Sequence, residues 1–137
     1  MKLLLNCDGG SRGNPGPAAY GYVIKDITSS AGIILEKCGN YLGHTTNNQA
    51  EYAGLIAGLK WVIANHKDAD LSIVMDSLLI VNQVKGLYKV KSLELQPKYH
   101  EVRGLLKQLK SYTISHTLRH GNSLADSLVN EALDAQG

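Results

Sequence analysis

LSIVMD, residues 71–76, is the stretch on which the architecture turns. It is a short apolar run, β-branched at Ile73 and Val74, that closes on an acid, Asp76. Helical patterns lie on both sides of it. A strand reached through a helix cannot pair with its predecessor by a hairpin, so it joins the sheet parallel to an earlier strand. The candidate neighbour is KLLLNCD, residues 2–8, which is also apolar and also closes on an acid, Asp8. Its run Leu3 to Leu5 suits a strand covered on both faces. Parallel neighbours end on the same side, where open α/β sheets hold their sites. Asp8 and Asp76 are therefore expected side by side.

The rest of the chain is placed around this pair. GGSRGNPGP (9–17) reads as a turn-rich loop, AYGYVIKDI (19–27) as a second strand, DITSSAG (26–32) as a hairpin turn and IILEKCGNYL (33–42) as a third strand. Together they predict an antiparallel meander. Thr46 opens a helix that runs to about His66, and Thr46 with Gln49 fits the capping pattern T-x-x-Q. Ala50, Ala53, Gly54, Ala57 and Gly58 recur at helical spacing, which predicts close packing on the sheet, and Trp61 is expected in the core. Glu51 shares a stripe with Leu55, Gly58, Leu59 and Val62. That position suits either a metal ligand or a stripe-edge acid favoured by the helix dipole. A short helix (77–84), a loop (86–92), a basic amphipathic helix within 95–110, a fifth strand (112–118) and a last helix (123–135) capped by Asn122 complete the order. The expected fold class is α/β: a mixed five-stranded sheet, strands 1–3 antiparallel and strands 4–5 parallel to strand 1, flanked by helices.

A chain of 137 residues suits one domain, 1–137, with one core. With 44% hydrophobic and 19% charged residues, disorder is excluded. The apolar start is too short for a signal peptide or a membrane span, so a cytoplasmic location without membrane association is expected. Cys7 and Cys38 match no zinc spacing and are expected to stay reduced, with Cys7 a packing residue. Net charge is only +2, but 85–110 holds seven basic residues against two acidic ones. The remainder of the chain is therefore net acidic. A basic arm beside an acidic centre suits a polyanion held in one place and cleaved in another.

Four acids, each in its own motif, carry the chemistry. They are Asp8 in DGGSRGNPGPAAYG, Glu51 in TTNNQAEYAGLIAGL, Asp76 in DSLLIVNQVKG and Asp126 in LRHGNSLADSLVNEALD. Gathered carboxylates repel one another and are costly to desolvate, and hard divalent cations relieve both costs. These four blocks, in this order, resemble type 1 ribonuclease H over essentially the whole chain. The resemblance implies a ribonuclease H-like fold and Mg²⁺-dependent cleavage of the RNA strand of an RNA·DNA hybrid, leaving 5′-phosphate and 3′-hydroxyl ends. It implies two Mg²⁺ ions with substrate, Mn²⁺ substituting, held by Asp8, Glu51, Asp76 and Asp126. On the family mechanism Asp8 bridges both ions, Asp76 and Asp126 hold the water-activating ion, and Glu51 holds the ion at the leaving group.

Nucleic-acid contacts are expected from the glycine-rich stretch, through Gly9, Gly10, Ser11, Arg12 and Asn14, where bare glycines admit a backbone. Asn48 and Gln49 offer amides suited to a 2′-hydroxyl and base edges. Ser77 either contacts the DNA strand or caps its helix. Lys85, Lys89 and Lys91 match the region where many family members place a basic handle for the DNA strand, and a solvated face is the other reading. Arg119 is a phosphate contact, and His120 stands roughly where some members carry a helper histidine, on a much shorter loop. No hybrid-binding module is expected before the first strand, and a monomer is expected. A double-stranded-RNA nuclease, a detached reverse-transcriptase domain and a catalytically silent hybrid-binding module are the alternatives.

Overall fold

The computed structural model describes residues 1–29 and 31–136. Five strands, β1 (Lys2–Ser11), β2 (Gly16–Asp26), β3 (Ile33–Thr45), β4 (Asp70–Met75) and β5 (Ser111–His116), form one sheet in the order β3-β2-β1-β4-β5. β1 pairs antiparallel with β2, and β2 with β3; β4 is parallel to both β1 and β5. The helices are α1 (Asn47–His66), α2 (Leu78–Val84), α3 (Gln96–Leu106) and α4 (Ser123–Asp134), with a 3-10 turn at Arg119–Asn122 before the last. The mixed sheet expected from 71–76 is the one observed. The expected hairpin turn at 26–32 includes Ser30, which lies outside the described residues.

Strand alternation divides the sheet into two differently covered faces. Leu3, Leu5, Cys7, Tyr22 and Ile24 point into the main core, where α1 supplies Tyr52, Leu55, Leu59 and Val62. The small residues of α1 serve the expected purpose: a Cβ on Gly54 would strike the Asp8 carbonyl, and one on Gly58 would strike Leu5. On the opposite face Ala19 meets Val129 and Leu133 of α4 in a separate small cluster. Gly21 and Gly39 give α4 its seat there, their Cα atoms lying directly under the backbone at Ala125 and Leu128. Trp61 is only half-buried, packed on the rim of the core with its ring 5.7 Å from His66.

Three local expectations change. The stretch 9–17 is mostly strand, with Gly9 paired to Tyr20 and Ser11 to Ala18, and only residues 12–15 turn. The glycine is there because α1 crosses so closely that any Cβ on Gly9 would collide with the backbone at Ala50 and Glu51. Thr46 does cap α1, accepting the Gln49 N–H at 3.2 Å, but the Gln49 side chain does not return the bond. It accepts the Thr45 hydroxyl and donates to Glu94 at 3.2 Å. Asn122 stands at the start of α4 without making a side-chain cap. Among the described residues no helix is long and apolar enough to cross a membrane.

Candidate active site

The register of β1 against β4 runs from Lys2↔Asp70 to Cys7↔Met75. One step further along each chain stand Asp8 and Asp76, which is why the two acids meet. Glu51 is delivered from above by the first turns of α1. The Gly9 N–H points between two acids, donating to Asp8 Oδ1 at 2.9 Å and to Glu51 Oε1 at 2.5 Å. Carboxylate oxygens of Asp8, Glu51 and Asp76 all lie within 4.8 Å of one another. Asp126, on the α4 side, lines the same cleft but stands outside this tight trio. The cleft encloses about 350 Å³, and Arg12 and Arg119 are the exposed cations of its wall.

Crowding and burial set the charge state. Asp8 is 6% exposed and Glu51 4%. Burial pushes Asp8 up to about 6; the Asp76 charge adds to this, while hydrogen bonds to Glu51 and Gly9 oppose it. Glu51 is held well above the usual carboxylate range, first by burial and then by its hydrogen bond and repulsion with Asp8. The Cys7 thiol beneath them is also raised, by burial and by the three acids, so it is a packing group and not a nucleophile. An all-oxygen, anionic donor set that resists ionisation is the kind a hard divalent cation relieves, so the residues fit Mg²⁺ or Mn²⁺.

Residues 6–132 match the reverse transcriptase-like family. A bifunctional protein of Mycobacterium tuberculosis is 40% identical over 135 residues, 98% of this chain, and a ribonuclease HI of Halobacterium salinarum is 42% identical over 127 residues, 93% of this chain. The chain spans 36% and 62% of the length of these two curated relatives. The crystal structure of ribonuclease H1 from Halobacterium salinarum superposes with a TM-score of 0.90 at 39% identity, covering 98% of this chain and 99% of that one. The chain belongs to the type 1 ribonuclease H family. Another member of the family, a ribonuclease H1 solved in complex with an RNA/DNA hybrid, superposes with a TM-score of 0.90 at 38% identity, each chain 98% covered.

Around this ribonuclease H cleft the remaining candidates divide. Gly9, Gly10, Ser11, Arg12, Ser77 and Arg119 line it. Ser77 also caps α2, accepting the Ile80 N–H at 3.3 Å. Arg12 is paired with Asp134 at 2.6 Å. Arg119 Nε lies 4.0 Å from Asp76 on a side chain 82% exposed, a pair that screening leaves weak. Asn14, Asn48, Gln49, Lys85, Lys89, Lys91 and His120 are not on the cleft wall. Asn14 instead accepts the Asn47 N–H at 3.0 Å and pins the 12–15 turn to α1. The three lysines and His120 are exposed. Four wall residues were not among the expected contacts: the apolar Val129 and Leu133, and two polar ones, Asn47, whose Oδ1 takes the Ser11 N–H at 3.3 Å, and Asn130. Asn130 follows Asp126 by four positions, so helical spacing alone puts it on the same face.

Proposed function

We propose that this ribonuclease H chain is an endonuclease that hydrolyses the RNA strand of RNA·DNA hybrids, leaving 5′-phosphate and 3′-hydroxyl ends. The observation that carries the reading is the convergence of Asp8, Glu51 and Asp76 within 4.8 Å at the floor of an open, donor-rimmed cleft. Its likeness to a ribonuclease H1 solved with an RNA/DNA hybrid supports the same substrate.

Asp8, Glu51, Asp76 and Asp126 would hold two divalent cations, Mg²⁺ by preference and Mn²⁺ as substitute. Bound there, the cations supply positive charge at the scissile phosphate and a more acidic attacking water. The chain's own groups do the rest. Gly10 admits a sugar-phosphate backbone close to the acids, because it carries no side chain, whereas the space beside Gly9 is taken by α1. Gly9 is buried at the junction with α1, and Gly10 faces the cleft. Ser11, Arg12, Asn47 and Arg119 put neutral and cationic donors on the rim, where phosphate and 2′-hydroxyl oxygens are acceptors. Asn48, Gln49 and the exposed Lys85, Lys89 and Lys91 extend that surface to the flanking duplex. Residues 1–137 act as one catalytic domain, monomeric and cytoplasmic, with both cysteines free.

The test is cleavage of labelled RNA·DNA, RNA·RNA and DNA·DNA duplexes with Mg²⁺, Mn²⁺ or chelator. Cutting confined to the RNA strand of the hybrid, and only with metal, is expected. Binding without cutting in every metal refutes it in favour of a silent module, and faster cutting of RNA·RNA refutes the substrate.

A further inference from the structure

An asparagine at the start of a helix normally turns its side chain back onto the first free N–H groups. Asn122, at the start of α4, does not. Its side chain is 2% exposed and reaches away from its own helix. Nδ2 donates to the Cys7 carbonyl at 2.8 Å and stands 3.5 Å from Asp76 Oδ1. The remaining side-chain atom, Oδ1, is buried with no hydrogen-bond partner. Forgoing the cap and stranding an oxygen both cost stability. Something other than helix stability selects this arrangement.

The groups that Asn122 joins identify it. Cys7 immediately precedes Asp8, Asp76 is the second acid, and Asp126 follows Asn122 by one helical turn. One side chain thus links the ends of β1 and β4 to the first turn of α4. We propose that Asn122 is a positioning residue for the acid cluster: its amide orients the Asp76 carboxylate and fixes the spacing of the three elements that bear Asp8, Asp76 and Asp126. The inference rests on the metal-dependent reading above. The chemistry calls for an amide. Both neighbours are acceptors, so the group between them must donate to each, and an amide NH2 carries the two N–H bonds this takes. Aspartate has the same shape but offers only acceptors when ionised, and it would face a carbonyl and a like charge. Arg119, the other donor near Asp76, is largely solvated and cannot take over.

The experiment measures Mg²⁺ binding by calorimetry without nucleic acid, on wild type, Asn122→Ala and Asn122→Asp, with folding checked by circular dichroism. Groups that orient metal ligands typically change affinity about 10–100-fold. A loss of that size is expected in both variants, with Asn122→Asp no better than Asn122→Ala despite its shape. On the hybrid, kcat should fall while KM stays within about twofold. In wild type, the Asn122 side-chain amide resonance should shift as Mg²⁺ is added, a measurement that needs no variant to fold. Wild-type Mg²⁺ affinity in folded Asn122→Ala, or an amide indifferent to Mg²⁺, overturns the inference. If wild type cuts no duplex but binds Mg²⁺ with an affinity that both variants lose, the proposed function fails and the positioning role stands. If wild type cuts the hybrid and Asn122→Ala matches it throughout, only the positioning role fails.

Discussion

Asp8→Asn should make the metal-free protein more stable while removing its activity. In the folded chain Asp8 is raised from 3.8 to about 6. A carboxyl whose pKa is higher folded than unfolded contributes its full share below the unfolded value. That share is lost as pH rises through the folded one, because the native state then binds more protons than the unfolded chain. At pH 7 both states have released the proton, and the shift of about two units costs up to about 3 kcal/mol, at about 1.4 kcal/mol per unit. Asparagine carries no charge to desolvate, and its Oδ1 still accepts the Gly9 N–H. With an unfolding entropy of about 2 cal/mol/K per residue over 137 residues, the gain corresponds to a Tm rise of up to about 10 °C. The assay is thermal unfolding of both proteins in chelator from pH 3 to 8. The difference should be greatest near pH 7, shrink between pH 6 and 4 and vanish at pH 3. Saturating Mg²⁺ should narrow it, since a ligand of the native wild type raises the wild-type Tm. Equal Tm values at pH 7 in chelator, or a gain that persists at pH 3, would refute the reasoning.

Gly9→Ala should be far more damaging than its size implies, because the added methyl meets α1 backbone and not a flexible side chain; a Tm within a few degrees of wild type would contradict that packing. Replacing Lys85, Lys89 and Lys91 together by Ala should weaken hybrid binding and lower its salt slope by about 2 to 3, near one per lost phosphate contact. A filter-binding series from low to high salt with an unchanged slope would show that these lysines are only solvated.

The legible parts of this chain were those where pattern and physics agree locally. Acids closing two apolar runs, Asp8 and Asp76, marked adjacent parallel strand ends, and the small-residue stripe of α1 announced a helix lying tight on the sheet. What stayed hidden depends on partners distant in sequence. Gly9 reads as a turn residue because nothing nearby reveals that a helix some forty residues ahead will press on it. Asn122 and Gln49 have ideal capping chemistry, and each spends its amide elsewhere, on groups brought close only by the completed fold. Asn14 offered a donor to nucleic acid in isolation, yet its oxygen is occupied by the start of α1. The position of Asp126 outside the tight trio was equally invisible, since it arrives on a helix packed against the other face.

Gly21 and Gly39 have a reach well beyond their size. Gly21 stands opposite Asp8 on β2 and Gly39 opposite Gly21 on β3, and neither carries a functional group, yet they are the bearings on which α4 rests. A methyl added at either would act as a shim, lifting the helix and carrying Asp126 with it while Asp8 and Asp76 stayed on the sheet and Glu51 on α1. The gap between the fourth acid and the other three is therefore machined by two hydrogen atoms on the strands beneath α4. Evolution or an engineer could retune it there without touching a single polar side chain.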